Sequence, residues 1–150
     1  MLQARSKTLA RSSKLATNTL VLLLGLCIAV AGWAETPELS PEQVIREQLQ
    51  AFDRGDSVRA YEFASESIKQ AFPDAEVFMA MVEAQYGVLI NSRSLQFSHP
   101  QPLSPGVVIQ ELNLLDRRGE GWRALYRLGL DGTEWRIEGV SLARIRQQVI

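Results

Sequence analysis

Cysteine is nearly absent: Cys27 is the only one in 150 residues, and it lies in an apolar stretch near the N-terminus. Residues 35–150 therefore contain no disulfide, no thiol nucleophile and no Cys metal ligand. Histidine is as scarce, with His99 alone. A transition-metal site would need mostly carboxylates, and no such cluster stands out, so neither a metal nor a cofactor is expected. No glycine-rich phosphate loop or nucleophile elbow is present, and no catalytic residue is assigned. Without disulfides the fold must be held by hydrophobic burial, which about 115 residues can supply.

What is present begins with the first 34 residues. Arg5, Lys7, Arg11 and Lys14 form a basic leader without an acidic residue, and Leu20 to Ala31 is apolar apart from Gly25. Ala31, Gly32 and Ala34 close it, which is the order of a cleavable secretory signal. Cleavage is expected after Ala34, with Ala31 as the alternative. The leader has no Arg-Arg pair, which argues against a twin-arginine route. An uncleaved anchor needs roughly 20 apolar residues. Leu15 to Ala34 reaches that only by including Thr17, Asn18 and Thr19. Lipidation at Cys27 is disfavoured by the large Leu26 before it. The expected organisation is a signal over 1–34, a linker over 35–39 and one domain over 40–150. Its location is periplasmic or extracellular, with no stable membrane anchor after cleavage.

Taking the four leader cations from the 16 Lys+Arg leaves 12 against 17 Asp+Glu, a net charge of −5. That argues against nucleic acid or anionic lipid as partner, since both select basic surfaces.

The domain reads as helices first. Ser40-Pro41-Glu42-Gln43 is a capping box with Pro at the first helical position. Val44, Ile45, Leu49 and Phe52 then recur at helical spacing, and Gly55 ends the run. Asp56 caps a second helix with Val58, Tyr61 and Ala64 as its stripe. Ser65 to Phe72 is a short third helix with Ile68 and Phe72 inward. Asp74 caps a fourth, striped by Val77, Phe78, Met81, Val82 and Tyr86. After Gly87 the period becomes two. Strands are expected at 94–98, 107–115, 122–130 and 133–142, and the Pro100, Pro102 and Pro105 stretch reads as a loop. Asp131-Gly132 is a hairpin signal. As a two-residue turn it sets Leu130 against Thr133, Leu128 against Trp135, Tyr126 against Ile137 and Arg127 against Arg136. Glu134 and Glu138 then lie diagonal to Arg127 on a solvated outer face. The fold class is α+β, with N-terminal helices packed on a curved, mostly antiparallel sheet.

Phe63-Ala64-Ser65, Ile68, Phe72, Phe78, Met81-Val82, Tyr86, Arg93-Ser94 and Phe97, with the cap at Asp74, resemble the bacterial family catalogued as domain of unknown function 4864. The resemblance covers roughly residues 40 to 142. One segment departs from it. The family carries a Pro and an aromatic-Arg-Pro segment after the Tyr, where this chain has Val88-Leu89-Ile90-Asn91-Ser92. The order of elements, with Trp135-Arg136-Ile137 near the end, also looks like the nuclear transport factor 2-like (cystatin-like) cone of the ketosteroid isomerases. Likeness of fold does not transmit function, and the family supplies no catalytic residue.

Tyr61, Tyr86, Trp122, Tyr126 and Trp135 are large rings with polar tips on inward-facing positions, which need partners when buried. They form a candidate pocket lining, with Arg93 as an anion contact; core packing is the competing use. His99, between a strand and a proline-rich loop, reads as an exposed loop residue. Asp53 and Asp56, flanking Gly55, read as turn formers and caps. The first functional reading is a non-enzymatic envelope domain binding a small apolar or acidic ligand, or a protein partner. The second is an isomerase- or dehydratase-like enzyme using a pocket Asp and Tyr. The third is a homodimer through the sheet face.

If the leader is a cleaved signal, N-terminal sequencing of exported material should begin at Glu35. A full-length, membrane-bound product would contradict it.

Overall fold

The computed structural model describes residues 38–145. The leader, its cleavage site, most of the linker and the last five residues lie outside that range. Four α-helices precede five antiparallel strands among the described residues. They are α1 (Pro41–Arg54), α2 (Ser57–Glu62), α3 (Glu66–Ala71) and α4 (Ala75–Gln85), then β1 (Arg93–Phe97), β2 (Gln101–Ser104), β3 (Val107–Leu115), β4 (Gly121–Asp131) and β5 (Glu134–Arg144). The fold is α+β, with the helices packed on the sheet.

The capping box at α1 forms as read. Gln43 N–H donates to Ser40 Oγ at 3.3 Å, and Ser40 N–H donates to Gln43 Oε1 at 2.8 Å. Gly55, at φ 67°, closes the helix, a conformation other residues adopt at a cost. Asp56 and Asp74 cap α2 and α4 through the N–H groups of Arg59 and Val77. The α1 stripe is buried, with Gln48 inside it.

Two stripe assignments are corrected. Val58 is 62% exposed and Val77 is 47% exposed. In α2 the small residues Ser57 and Ala60 face inward instead. Gln48 Nε2 donates to the Ala60 carbonyl at 3.1 Å, and small side chains let the backbones of α1 and α2 approach. In α4 the buried set is Phe78, Met79 and Val82, which turns Val77 outward. Phe78 is a hub of rings, with centroids 5.6 Å from Tyr61 and 6.3 Å from both Phe52 and Phe72.

The sheet runs β1-β3-β4-β5, with β2 also pairing β3. β2 corrects the expected proline loop. Pro102 sits in an exposed outer strand, where a missing N–H costs no central ladder bond. Between β3 and β4, Asp116 organises the turn. Its carboxylate accepts from the N–H groups of Arg118 and Glu120 and from the Trp122 indole at 3.1 Å. Burial pushes its pKa up, and these donors together outweigh it, so the carboxyl lies below its ordinary value.

The last hairpin differs from the expected register. Asp131 pairs with Glu134, so the loop is Gly132-Thr133. Gly132 has φ 60° and Thr133 no positive φ, which fits a type II′ turn with Gly first. Moving the turn by one residue moves the pairing by two, so the faces survive: Leu128 meets Ile137 and Leu130 meets Trp135. Further on a bulge intervenes, because Arg127 pairs with Gly139 and leaves Glu138 unpaired. One extra residue reverses the alternation, and Tyr126 therefore meets Val140 rather than Ile137. The expected Arg127–Arg136 opposition does not occur. Arg127 ion-pairs with Glu138, and Arg136 pairs with Glu134 and donates to the Glu62 carbonyl.

Phe78→Ala should cost about 3 kcal/mol or more, as expected for a ring this enclosed. Urea unfolding measures it; a loss under roughly 1 kcal/mol would place the ring outside the core.

Candidate functional site

Between the helices and the β4–β5 pair lies a partly open cavity of about 280 Å³. Its origin is local. α3 and α4 are held off the sheet by the ring cluster around Phe78, and the bulge carries the β5 backbone past Glu138. On the helix side the wall is Gln48, Phe52, Ile68, Phe72, Phe78, Met81 and Val82, with the exposed Gln85 and the half-buried Tyr86. On the sheet side it is Tyr126 and Ile137 to Val140. Leu89 completes it from a 3-10 turn at Gly87–Leu89. That turn opens the segment in which this chain departs from the family pattern, so a buried leucine contributes to the wall there.

The polar groups of the wall are few. Gln48 is nearly buried; one of its two amide N–H groups is given to the Ala60 carbonyl, and its Oε1 is an acceptor. Tyr126 is fully buried, and its hydroxyl has no hydrogen-bond partner among the described residues. Burial pushes its pKa far above the ordinary value, so it stays a neutral O–H donor. Gln110, opposite Tyr126 on β3, is also fully buried. Its amide donates to the Ser98 carbonyl at 2.5 Å and its Oε1 is unpaired. Glu138 is the one charged residue of the wall. Its carboxylate is turned to the other side of the sheet, where it pairs with Arg127 and covers Gly129. A side chain at position 129 would collide with the Glu138 carboxylate.

Of the six residues singled out in the sequence, the cavity brings together Tyr86 and Tyr126. The other four lie elsewhere. Tyr61 donates its hydroxyl to the Phe72 carbonyl at 2.5 Å, tying α2 to the end of α3. Trp122 is bound to Asp116, under Arg144. Trp135, beyond the bulge, stands beside Leu39, Val44 and Phe63. Arg93 is exposed at the start of β1. The rings were sorted by face, and a face spans more than one site. Asp53 accepts from the Asn91 N–H and Asp56 caps α2, so neither carboxylate is in the cavity wall. His99 is exposed between β1 and β2. Gln48 was missed, although a Gln between Val44, Ile45 and Leu49 on an apolar stripe is a readable signal. Glu138 is expected beside Arg127 on the outer face and is paired with it there; the bulge at this residue leaves little trace in the sequence, Gly139 within a strand being the hint.

Among the described residues, no group of three or more His, Cys, Asp or Glu side chains is placed to hold a metal. No helix among them is long and apolar enough to cross a membrane. The outer sheet face carries Arg123–Glu111 and Arg127–Glu138 pairs around a partly exposed Leu125. Exposed pairs of this kind are worth about 0–1 kcal/mol each.

The family model described as "Domain of unknown function (DUF4864)" matches residues 35–150, and the chain belongs to that family. No curated protein matches it. Among solved structures it is similar to a DUF4783 family protein from Bacteroides ovatus, at 12% identity and a TM-score of 0.46. The match covers 67% of this chain and 94% of the other.

Because the Tyr126 hydroxyl is unpartnered, Tyr126→Phe should leave stability unchanged or raise it by about 1 kcal/mol. A loss above roughly 1 kcal/mol in urea unfolding would show that the hydroxyl is bonded within the fold.

Proposed function

We propose that this DUF4864 protein is exported and that its cavity receives a small, mainly apolar molecule without transforming it. The leader, with its basic start, apolar run and small-residue end, supports export. The α+β arrangement supports reading the domain as a nuclear transport factor 2-like cone, a fold shape that commonly leaves space between helices and sheet.

The observation that carries the binding reading is the cavity. At about 280 Å³ it approaches the range of small-molecule sites, roughly 300–1,000 Å³. It is lined by rings and aliphatic chains with few polar groups, as such sites are. A core without a ligand function would gain stability by closing it, since voids cost packing energy. The enzyme reading needs an Asp and a Tyr converging in one cavity. Tyr126 is in the wall, and both Asp53 and Asp56 are spent on backbone N–H groups elsewhere. Binding is therefore the better reading.

Naphthalene, a rigid uncharged two-ring probe, tests it. Added to the purified protein, it should produce saturable amide shifts in NMR spectra at Val82, Leu89 and Gly139. Met81→Trp fills the wall from α4, and should abolish those shifts while the circular dichroism spectrum and Tm are kept. Absence of saturable shifts in the natural protein, or equal binding by the Trp variant, would overturn the reading.

A further inference from the structure

We infer that the free edge of β5 takes up an extended segment of another protein by strand pairing, and that one large apolar side chain of that segment is the body seated in the cavity. The inference rests on the cavity being a binding site, and it names what carries the apolar group there.

The edge is open. β5 is the last strand of the sheet, so its outward backbone groups face no neighbouring strand. At Ile137 they are taken by Phe63 and Ser65. Past the bulge the ladder resumes, with Tyr126 opposite Val140 and Ala124 opposite Leu142. Ile145 N–H donates into the sheet, to the Gly121 carbonyl. By alternation Ser141 and Ala143 also bond to β4, and Val140 and Leu142 direct N–H and C=O outward. Among the described residues, no backbone group outside the sheet bonds to them. Native edges are commonly blunted by Pro, Lys or other charges. The opposite margin of the sheet has Pro102 in β2. The stretch Gly139-Val140-Ser141-Leu142-Ala143 has neither proline nor charge.

The same edge is one lip of the cavity. Ile68, Phe72, Met81 and Gln85 on the helix side keep partial or full exposure, as do Gly139 and Val140 on the strand side, while the floor is buried. The mouth therefore opens between α3 and α4 on one side and the β5 edge on the other. A strand added to that edge lies about 4.8 Å outside β5. Its residue opposite Val140 has its side chain on the same face as Val140, which is the helix-facing one. That side chain projects across the mouth. In such pairing main-chain bonds supply attachment and a side-chain pocket supplies selectivity. An apolar cavity of about 150 Å³ accommodates benzene, so one of about 280 Å³ suits a two-ring side chain such as indole.

Charge and packing define the occupant. The one charged residue of the wall, Glu138, is turned to the other face and paired with Arg127. A charge in the paired segment beside the mouth would be desolvated without a partner, so that stretch is uncharged. A second copy of this chain fits poorly. The helix-facing side chains of its own β5, Val140 and Leu142, are already packed on its own core and are not available to enter a cavity.

The peptide acetyl-Thr-Thr-Trp-Thr-Thr-amide tests this, beside one N-methylated at the Trp nitrogen and one with Ser in place of Trp. Each is titrated into the natural protein by NMR. The Trp peptide should saturate, and at saturation hydrogen exchange of the Val140 and Leu142 N–H groups should slow roughly tenfold or more. N-methylation removes the bond to the Val140 carbonyl and should weaken binding roughly fivefold or more. Ser should weaken it roughly tenfold or more through lost apolar burial. Naphthalene, which has no backbone to pair, should leave exchange at Leu142 unchanged. The inference is overturned if either altered peptide binds like its parent, or if exchange at Leu142 does not slow. Protection of Leu142 that rises with protein concentration in the absence of peptide would assign the edge to a second copy and overturn it too. Naphthalene keeps the two readings apart. If it binds and the Trp peptide does not, strand pairing fails alone; if it does not bind, the cavity reading fails and this inference with it.

Discussion

The structure turns on one extra residue in its edge strand. Before Glu138, Trp135 and Ile137 face the helices; after it, Val140 and Leu142 do. In an unbroken strand the alternation of two could not bring both pairs to the same side. The bulge makes β5 apolar toward the core from Trp135 to Leu142, although its sequence does not alternate evenly. Because β5 is an edge strand, the outward backbone groups of Ile137 are free, and they are used at once. Ile137 N–H donates to the Phe63 carbonyl and its own carbonyl accepts from Ser65 N–H, at 2.8 and 2.9 Å. The link between α2 and α3 is thus hydrogen-bonded to the free edge of the sheet. An exposed edge invites pairing with other chains, and this one is partly covered by the protein's own connection.

That anchorage dictates where the helices can go. Fixed at Phe63–Ser65, α3 extends over the bulge, and Tyr61 secures its far end through the Phe72 carbonyl. Phe72 and Phe78 then meet edge to face, which favours contact of rings over close approach of helix to strand. The helices are braced against one another more than against β4 and β5. The space left over is the cavity. It is a consequence of how the layers are tied together, and each tie involves a residue whose polar group is satisfied.

Much of this was legible in the sequence, and the reasons are local. Ser40, Gln43, Asp56 and Asp74 act through hydrogen bonds to residues three positions away, so their roles follow from spacing alone. The buried stripe of α1 and the extents of β3 and β4 follow from periodicity. What failed was decided by partners distant in the chain. Val58 and Val77 are apolar and correctly spaced, yet α2 buries its small residues because α1 lies so close. The last hairpin was displaced because Gly132 takes the first loop position rather than the second. The displacement was an even number of residues in the pairing, which is why the inward face was nonetheless right. Two of the six expected lining residues share the cavity, for a related reason. Alternation tells which face a ring is on, and only the crossing of helices over strands tells which rings share a space.

The three buried amides and phenols of this core sharpen the point. Gln48 and Gln110 are both almost wholly enclosed, and each gives its N–H₂ to a backbone carbonyl that no secondary structure would otherwise satisfy, Ala60 in one case and Ser98 in the other. Gln48 ties α1 to α2, and Gln110 holds the chain just past the end of the β1–β3 ladder. Tyr126 is as deeply buried and supports nothing through its hydroxyl. Phenylalanine would fill the same volume without the desolvation cost of an unpaired O–H, roughly 1–3 kcal/mol for such a group. A marginally stable domain without disulfides has little room for an uncompensated loss of that size. What this position draws from tyrosine is therefore the volume and flatness of its ring between Gln110 and Val140, and the hydroxyl is carried as a cost that the rest of the core offsets.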